Sequence, residues 1–401
     1  MYLSPMILHP LLAALRCLLL PALFSALLLT SCSPDDRRTA EEGGAPAAEA
    51  AWQESRIAHA QNFTLEYHPG YKLLQVKQPF PGAIRPYTYL LLPRGQALPE
   101  GVAADAVVRI PVQRLISLST THLPALDMLG ETNTLVGFAQ AEFISSPAQR
   151  QRLEGGQLTN IGSTQGMSPE QLLALQPDLI MAFGMGPDDG SLQLLHRTGV
   201  PVVLNADFLE TSPLGRAEWI KFMAAFFNRE QQADSVFGQI AHRYDSLKSL
   251  TRGVQQRPGV FSGLVYGDVW YMPGGQSWAA QFLADAGADY LWADTESAGS
   301  LPLPFEGVYG RAHAAPFWIN VADTPSLRAL AAADERYTRF RAWQQGQVYT
   351  YSRRKNPGGG LEYLELGYAR PDLVLADLIR ILHPELLPHH ALYFYQQLPQ
   401  E

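Results

Sequence analysis

Between residues 230 and 250 the apolar side chains Ala233, Val236, Phe237, Ile240, Tyr244 and Leu247 recur at helical spacing along one stripe. Glu230, Asp234, Arg243 and Asp245 fall between them. With Asn228 as its cap, this helix runs about 23 residues and is therefore about 34 Å long. That length reaches from one domain into another. On both sides of it the chain shows alternating strand and helix patterns. The expectation is an α/β protein of two lobes with mainly parallel sheets, bridged by a single long α-helix.

Before this rod, residues 63–119 read mostly as strand, with β-rich runs at 87–92 (YTYLLL) and 107–112 and Pro and Gly turns between them. From Leu115 strands alternate with helices. Residues 115–118 form a short apolar strand, 123–130 a helix closed by Gly130, and 134–138 the next strand. Ser168-Pro169-Glu170-Gln171 starts a helix, with Ser as N-cap, Pro in the first turn and Gln three places after Ser. Strands follow at 179–183 and 202–205, with helices at 192–198 and 217–227. Beyond Arg257-Pro258 come strands at 260–266, 269–272, 318–321 and 348–351, and helices at 277–286, 372–382 and 391–398. Repeated βα units imply a parallel sheet covered on both faces.

The beginning of the chain is of another kind. The apolar run from Cys17 to Leu29 follows one positive charge, Arg16, and ends in Leu29-Thr30-Ser31-Cys32. It resembles a bacterial lipoprotein signal. The run falls short of the ~20 residues that span a bilayer, and Pro21 interrupts it. Cleavage before Cys32 removes Cys17, so no intrachain disulfide forms and the remaining cysteine carries lipid. Residues 32–51 are rich in Ala, Glu and Gly, a composition that cannot bury enough surface to order itself. The expected organisation is a signal peptide at 1–31, a flexible tether at 32–51, an N-terminal α/β lobe at 52–227, the bridging helix at 228–252 and a C-terminal α/β lobe at 253–401. The expected location is the periplasmic side of a bacterial membrane, lipid-anchored through Cys32, as a monomer.

After the tether about 350 residues remain, which suits two domains rather than one core. Apolar content of 47% and charged content of 17% describe a globular chain. The net charge of −8 argues against nucleic acid, which needs a basic face.

From about Arg109 onward the chain resembles the substrate-binding proteins of ABC importers, in the class for vitamin B12, ferric siderophores and haem. The stretches that carry the resemblance are 162–180 (GSTQGMSPEQLLALQPDLI), 212–222 (SPLGRAEWIKF), 285–291 and 367–386. The resemblance implies a ligand held in a groove between lobes and no cofactor beyond that ligand: an iron chelate, a corrinoid or haem. It implies as partners a permease dimer with its ATPase. It also implies a permease-docking carboxylate on each lobe, here Glu170 and Glu306, suited to arginine forks. The B12-binding relative has a tryptophan six residues before its docking glutamate; Thr164 stands there, which favours an iron chelate.

Parallel sheets leave their crevices at strand C-terminal ends. The candidate cleft residues there are Thr120, Thr121, Phe183, Met185, Tyr266, Trp270, Tyr271, Arg353 and Arg354. Aromatic faces at 266–271 could stack on a flat ligand. The arginine pair could bind carboxylates or an anionic chelate. If the strand is regular, Trp270 and Tyr271 face opposite ways, and Tyr266 and Trp270 are an even number apart.

Three rivals remain. Gly275-Gln276-Ser277-Trp278-Ala279 resembles a nucleophile elbow, which would make Ser277 a hydrolase nucleophile. Yet Pro273-Gly274 intervenes, and Ser277 also suits a helix N-cap. A zinc or manganese receptor needs converging ligands, and the ten histidines are scattered. A ligand-free lipoprotein scaffold is the third.

Overall fold

The computed structural model describes residues 54–401, apart from Gln165 and Asp188. The expected signal peptide, tether and lipidated Cys32 lie outside the described residues.

Four strands come first: β1 (Phe63–His68), β2 (Tyr71–Val76), β3 (Tyr87–Pro93) and β4 (Ala106–Ile110). They form a sheet in that order, antiparallel except for the parallel β3–β4 pair. The next five are β5 (Leu115–Ser117), β6 (Leu135–Phe138), β7 (Thr159–Asn160), β8 (Leu179–Ala182) and β9 (Val202–Leu204). They make an all-parallel sheet in the order β7-β6-β5-β8-β9. Its strands β5, β6, β8 and β9 are almost wholly apolar because both faces are covered, whereas the edge strand β7 is polar. Leu115, Leu179 and Met181 join one core, which also takes Leu74, Tyr89 and Val108 from the first sheet. Ile116, Ile180 and Ala182 join a second core on the opposite face.

The C-terminal half contributes β10 (Gly259–Ser262), β11 (Leu264–Tyr266), β12 (Val269–Pro273), β13 (Asp289–Tyr290), β14 (Ser300–Leu303), β15 (Phe317–Val321), β16 (Val348–Thr350) and β17 (Gln396–Gln397). One sheet runs β13-β10-β15-β16-β17, parallel but for β17. A small antiparallel sheet runs β11-β12-β14.

The helix Glu230–Leu250 links the halves. Ala233 and Phe237 sit in the N-terminal core, whereas Tyr244 sits in the C-terminal one. The rod thus leaves one core and enters the other, and the architecture is the expected two-lobed α/β fold with one bridging helix.

Three local expectations need correction. Asn228 does not cap the rod: its φ of 57° is left-handed and its side chain accepts from Lys72 Nζ at 2.8 Å. Residues 391–398 are not helical. The buried Asp377 carboxylate accepts from the backbone N–H groups of Tyr393, Phe394 and Tyr395 at 2.7–3.1 Å, which bends the chain around it and keeps these groups out of a helix. The strand expected at 260–266 is broken at Gly263, whose φ is 79°. A Cβ there would lie 2.0 Å from the Tyr271 carbonyl oxygen, so only glycine fits.

Candidate functional site between the two halves

The C-terminal ends of β5, β6 and β8 place three loops side by side. Ser119 caps the short turn Thr120–His122, its hydroxyl accepting from Thr121 N–H at 3.4 Å. His122 turns inward, where Nδ1 meets Ser117 Oγ at 2.8 Å. Burial pushes its pKa down to about 3, so the ring is neutral.

These loops wall a cavity of about 390 Å³. Leu118, Thr120, Phe138, Gln140, Phe143 and Phe183 line it from the N-terminal half. Gly359, Gly360, Leu361 and Leu364 line it from the C-terminal half. Phe143 and Leu364 are partly exposed, at 38% and 41%. A larger hollow of about 850 Å³ lies beside it, shares Leu118 and Phe183, and is walled by the N-terminal half alone, with Thr164, Met167, Met185, Asp189 and Ser191 among its lining. Mostly apolar walls with a few polar groups are the usual make-up of a small-molecule site. A further hollow of about 860 Å³ lies beside Arg257, Pro258, Gly259 and Pro316. Those residues are at the N-terminal ends of β10 and β15, the wrong edge of a parallel sheet for ligand binding.

The halves also meet at a tight seam beside the first cavity. Asn356 Nδ2 donates to the Ile144 carbonyl at 2.6 Å and the Glu142 carbonyl at 3.2 Å. A Cβ on Gly358 would lie 2.2 Å from the Glu142 carbonyl oxygen, and one on Gly360 would lie 2.0 Å from that of Phe143. Glu365, buried, accepts from Ser145 N–H and Ser146 N–H at 2.7 Å each. Ser146 caps the helix Pro147–Glu154, so the carboxylate sits at a helix N-terminus. Arg216 closes the seam further in. Its guanidinium lies 4.3 Å over Trp278 and 4.6 Å over Tyr368 and donates to the carbonyls of Glu210 and Phe208.

Burial outweighs the two N–H donors at Glu365 and pushes its pKa from 4.5 up to about 7; Asp127 and Glu362 face it and add to the rise. The joined seam therefore holds a proton more tightly than a solvated carboxyl does. Its contribution is complete below pH 4.5 and is lost as the pH rises through 7. The expected loss is on the order of 3 kcal/mol. Urea denaturation on either side of that window checks this. The native chain should be destabilised more than Glu365→Gln, and equal pH slopes would contradict it.

The expected cleft residues divide. Thr120 and Phe183 line the cavity between the halves, and Met185 lines the larger hollow. Thr121 instead faces a small, mostly apolar space whose polar lining includes His122, Asp207, Arg216 and Tyr368. Trp270 is wholly buried, stacks on Trp318 at 5.4 Å and donates to the Ser262 carbonyl at 2.9 Å, so it is a core residue and not a cleft residue. The two-residue turn at Gly267 and Asp268 pairs Tyr266 with Val269 and Leu264 with Tyr271. Tyr266 and Tyr271 therefore share the outer face, and Trp270 points inward with Val265. Both tyrosines are exposed, and neither lines the two cavities. Arg353 and Arg354 are exposed and line neither; Arg354 lies 4.1 Å over Tyr393 and 3.4 Å from Glu362. Glu170 is exposed in the first turn of Pro169–Ala174, where the Ser168 hydroxyl and its own backbone N–H hold its pKa below the usual value. Glu306 is exposed in the first turn of Phe305–Ala312, 3.8 Å from Arg336. Ser277 caps the helix Trp278–Asp285, its hydroxyl accepting from Ala280 N–H at 3.2 Å.

Residues 115–354 match the family model for periplasmic binding proteins. The chain belongs to that family. It is 24% identical over 298 residues to the uncharacterized lipoprotein MJ0878 of Methanocaldococcus jannaschii, covering 72% of this chain and 69% of that one. Among solved structures it superposes on a possible iron-binding periplasmic solute-binding protein from Staphylococcus epidermidis with a TM-score of 0.53 at 19% identity, covering 68% of this chain and 99% of that one. The periplasmic haem-binding protein HutB of Vibrio cholerae gives a TM-score of 0.51 at 19% identity, with 66% and 98% covered. These superpositions concern the fold.

Proposed function

We propose that this chain is the substrate-binding lipoprotein of an ABC importer, which takes a ferric siderophore or related metal chelate between its halves and hands it to the permease. One observation carries the reading: an apolar cavity at the C-terminal ends of parallel strands has walls from both halves. Capture there makes and breaks no bond, and the metal arrives within the cargo, so the protein needs no cofactor. Cobalamin or haem is the alternative cargo. Thr164 lines the larger hollow, so position 164 offers a corrin no ring to stack on, and Phe183 is the aromatic residue in that lining.

Titrating the purified soluble part with cobalamin, haem and ferric siderophores, followed by tryptophan fluorescence, tests the capture. Saturable binding of one of them supports it, and no binding by any would sink it. Among the described residues no helix is long and apolar enough to cross a membrane. Attachment is assigned to acylated Cys32, and Cys32→Ala should release the protein into the soluble periplasmic fraction.

Delivery is assigned to Glu170 and Glu306, whose exposed carboxylates on separate halves suit a two-point contact with arginines. The double variant Glu170→Arg/Glu306→Arg should reduce uptake at least about tenfold while ligand affinity stays within about twofold. Weakened affinity with intact uptake would remove both residues from the docking role.

A further inference from the structure

We propose, resting on the capture reading above, that the cargo is a metal chelate with an apolar outer surface and zero or positive net charge, and that polyanionic chelates are rejected. The walls of the two neighbouring cavities, which share Leu118 and Phe183, carry hydroxyls at Ser119, Thr120, Thr164 and Ser191 and the amide of Gln140. Among the described lining residues the one formally charged side chain is Asp189. Its Oδ1 accepts from Ser191 N–H at 3.0 Å and from the Ser191 hydroxyl, whereas Oδ2 receives a long contact of 3.4 Å from Met185 N–H. Burial favours the neutral acid, but the Ser191 hydroxyl and the backbone N–H groups of Met185, Ser191 and Leu192 outweigh it and keep the carboxyl ionised.

The arginines that would neutralise an anionic cargo are placed elsewhere. Arg354 is engaged by Glu362 and Tyr393. Arg216 lines neither cavity: it is buried against the faces of Trp278 and Tyr368, with Nε and Nη2 directed at backbone carbonyls. A polyanion entering this space would lose its hydration without gaining a cation, and would also face a carboxylate. Unpaired charge of that kind discriminates by repulsion rather than attraction. The net charge of −8 opposes a polyanion at longer range as well.

The test uses ferric chelates of similar size and different charge: a neutral trihydroxamate, a monocationic trihydroxamate and a trianionic tris-catecholate. Binding is measured by calorimetry at one salt concentration. The trihydroxamates should bind on the order of a hundredfold more tightly than the tris-catecholate. Asp189→Asn keeps a residue that can cap the helix Gly190–Arg197. It should weaken the monocationic chelate about fivefold more than the neutral one. Leu361→Arg, which adds a cation to the wall, should narrow the gap for the trianion. A tris-catecholate that binds native protein as tightly as the trihydroxamates would overturn the charge assignment and leave capture standing. Equal weakening of the neutral and cationic chelates by Asp189→Asn would overturn the carboxylate's part. Failure of these chelates, cobalamin and haem alike would remove the capture reading, and this inference with it.

Discussion

Replacing Lys72 by methionine should cost the folded chain about 3–5 kcal/mol. The ammonium of Lys72 is wholly buried, on β2, and pairs with Glu230 in the first turn of the bridging helix. It also donates to Asn228 Oδ1 at 2.8 Å and to the Ala225 carbonyl at 3.1 Å. Burial lowers its pKa, and the neighbouring Glu230 opposes that fall. Removing the cation leaves Glu230 as an uncompensated buried charge and strands two acceptors beside it. That penalty is much larger than the net worth of the pair. The double variant Lys72→Met/Glu230→Leu should therefore recover much of the loss. Urea unfolding of the three variants measures this. A loss below about 1 kcal/mol for Lys72→Met would mean that the pair behaves as a solvated surface bridge. The pair matters for function because it joins the first sheet to the start of the rod between the halves.

Gly358→Ala should weaken ligand binding by about tenfold to a hundredfold. The added methyl would meet the carbonyl oxygen of Glu142 at 2.2 Å and its Cβ at 3.1 Å. Both belong to the opposite half. Gly358 is not among the residues of positive φ, so alanine suits its own backbone. The clash therefore falls on the joined halves rather than on the loop. The variant should favour a wider cleft, seen as a slightly larger radius in solution scattering, with little change in urea stability above pH 7, where the Glu365 seam no longer contributes. A single connecting helix keeps the expected motion modest. Unchanged affinity and unchanged radius would show that the seam does not govern closure.

Much of the architecture was legible because periodicity reports burial directly. The apolar stripe on Glu230–Leu250 marked the rod, and the run from Ser168 to Gln171 marked a helix start, since capping is a local matter of hydrogen bonds. Other features depend on partners distant in the chain. Residues 391–398 have helical character of their own, but the Asp377 carboxylate, remote in sequence, takes up their N–H groups. Along 260–273 the sequence suggests strands at 260–266 and 269–272, and the parity count runs straight across the turn between them. The break at Gly263 and the turn at Gly267 reset that parity, which moved Trp270 into the core.

The cavity was only half visible for the same reason. Its N-terminal wall follows strand ends, so Thr120, Phe183 and Met185 could be placed by pattern. Its C-terminal wall is the segment from Gly359 to Leu364, which follows no strand pattern. The three consecutive glycines at 358–360 were the available signal, because close backbone approach is what such residues permit. Phe143 and Gln140 gave no comparable sign.

Hydrogen–deuterium exchange with and without a saturating chelate tests the central claim most directly. The account predicts slower exchange on binding at residues 118–121, 138–143, 183–186 and 359–364, with residues 264–273 unchanged. Protection confined to residues 264–273, or to the far hollow beside Arg257 and Pro258, would place the ligand outside the space between the halves and contradict it.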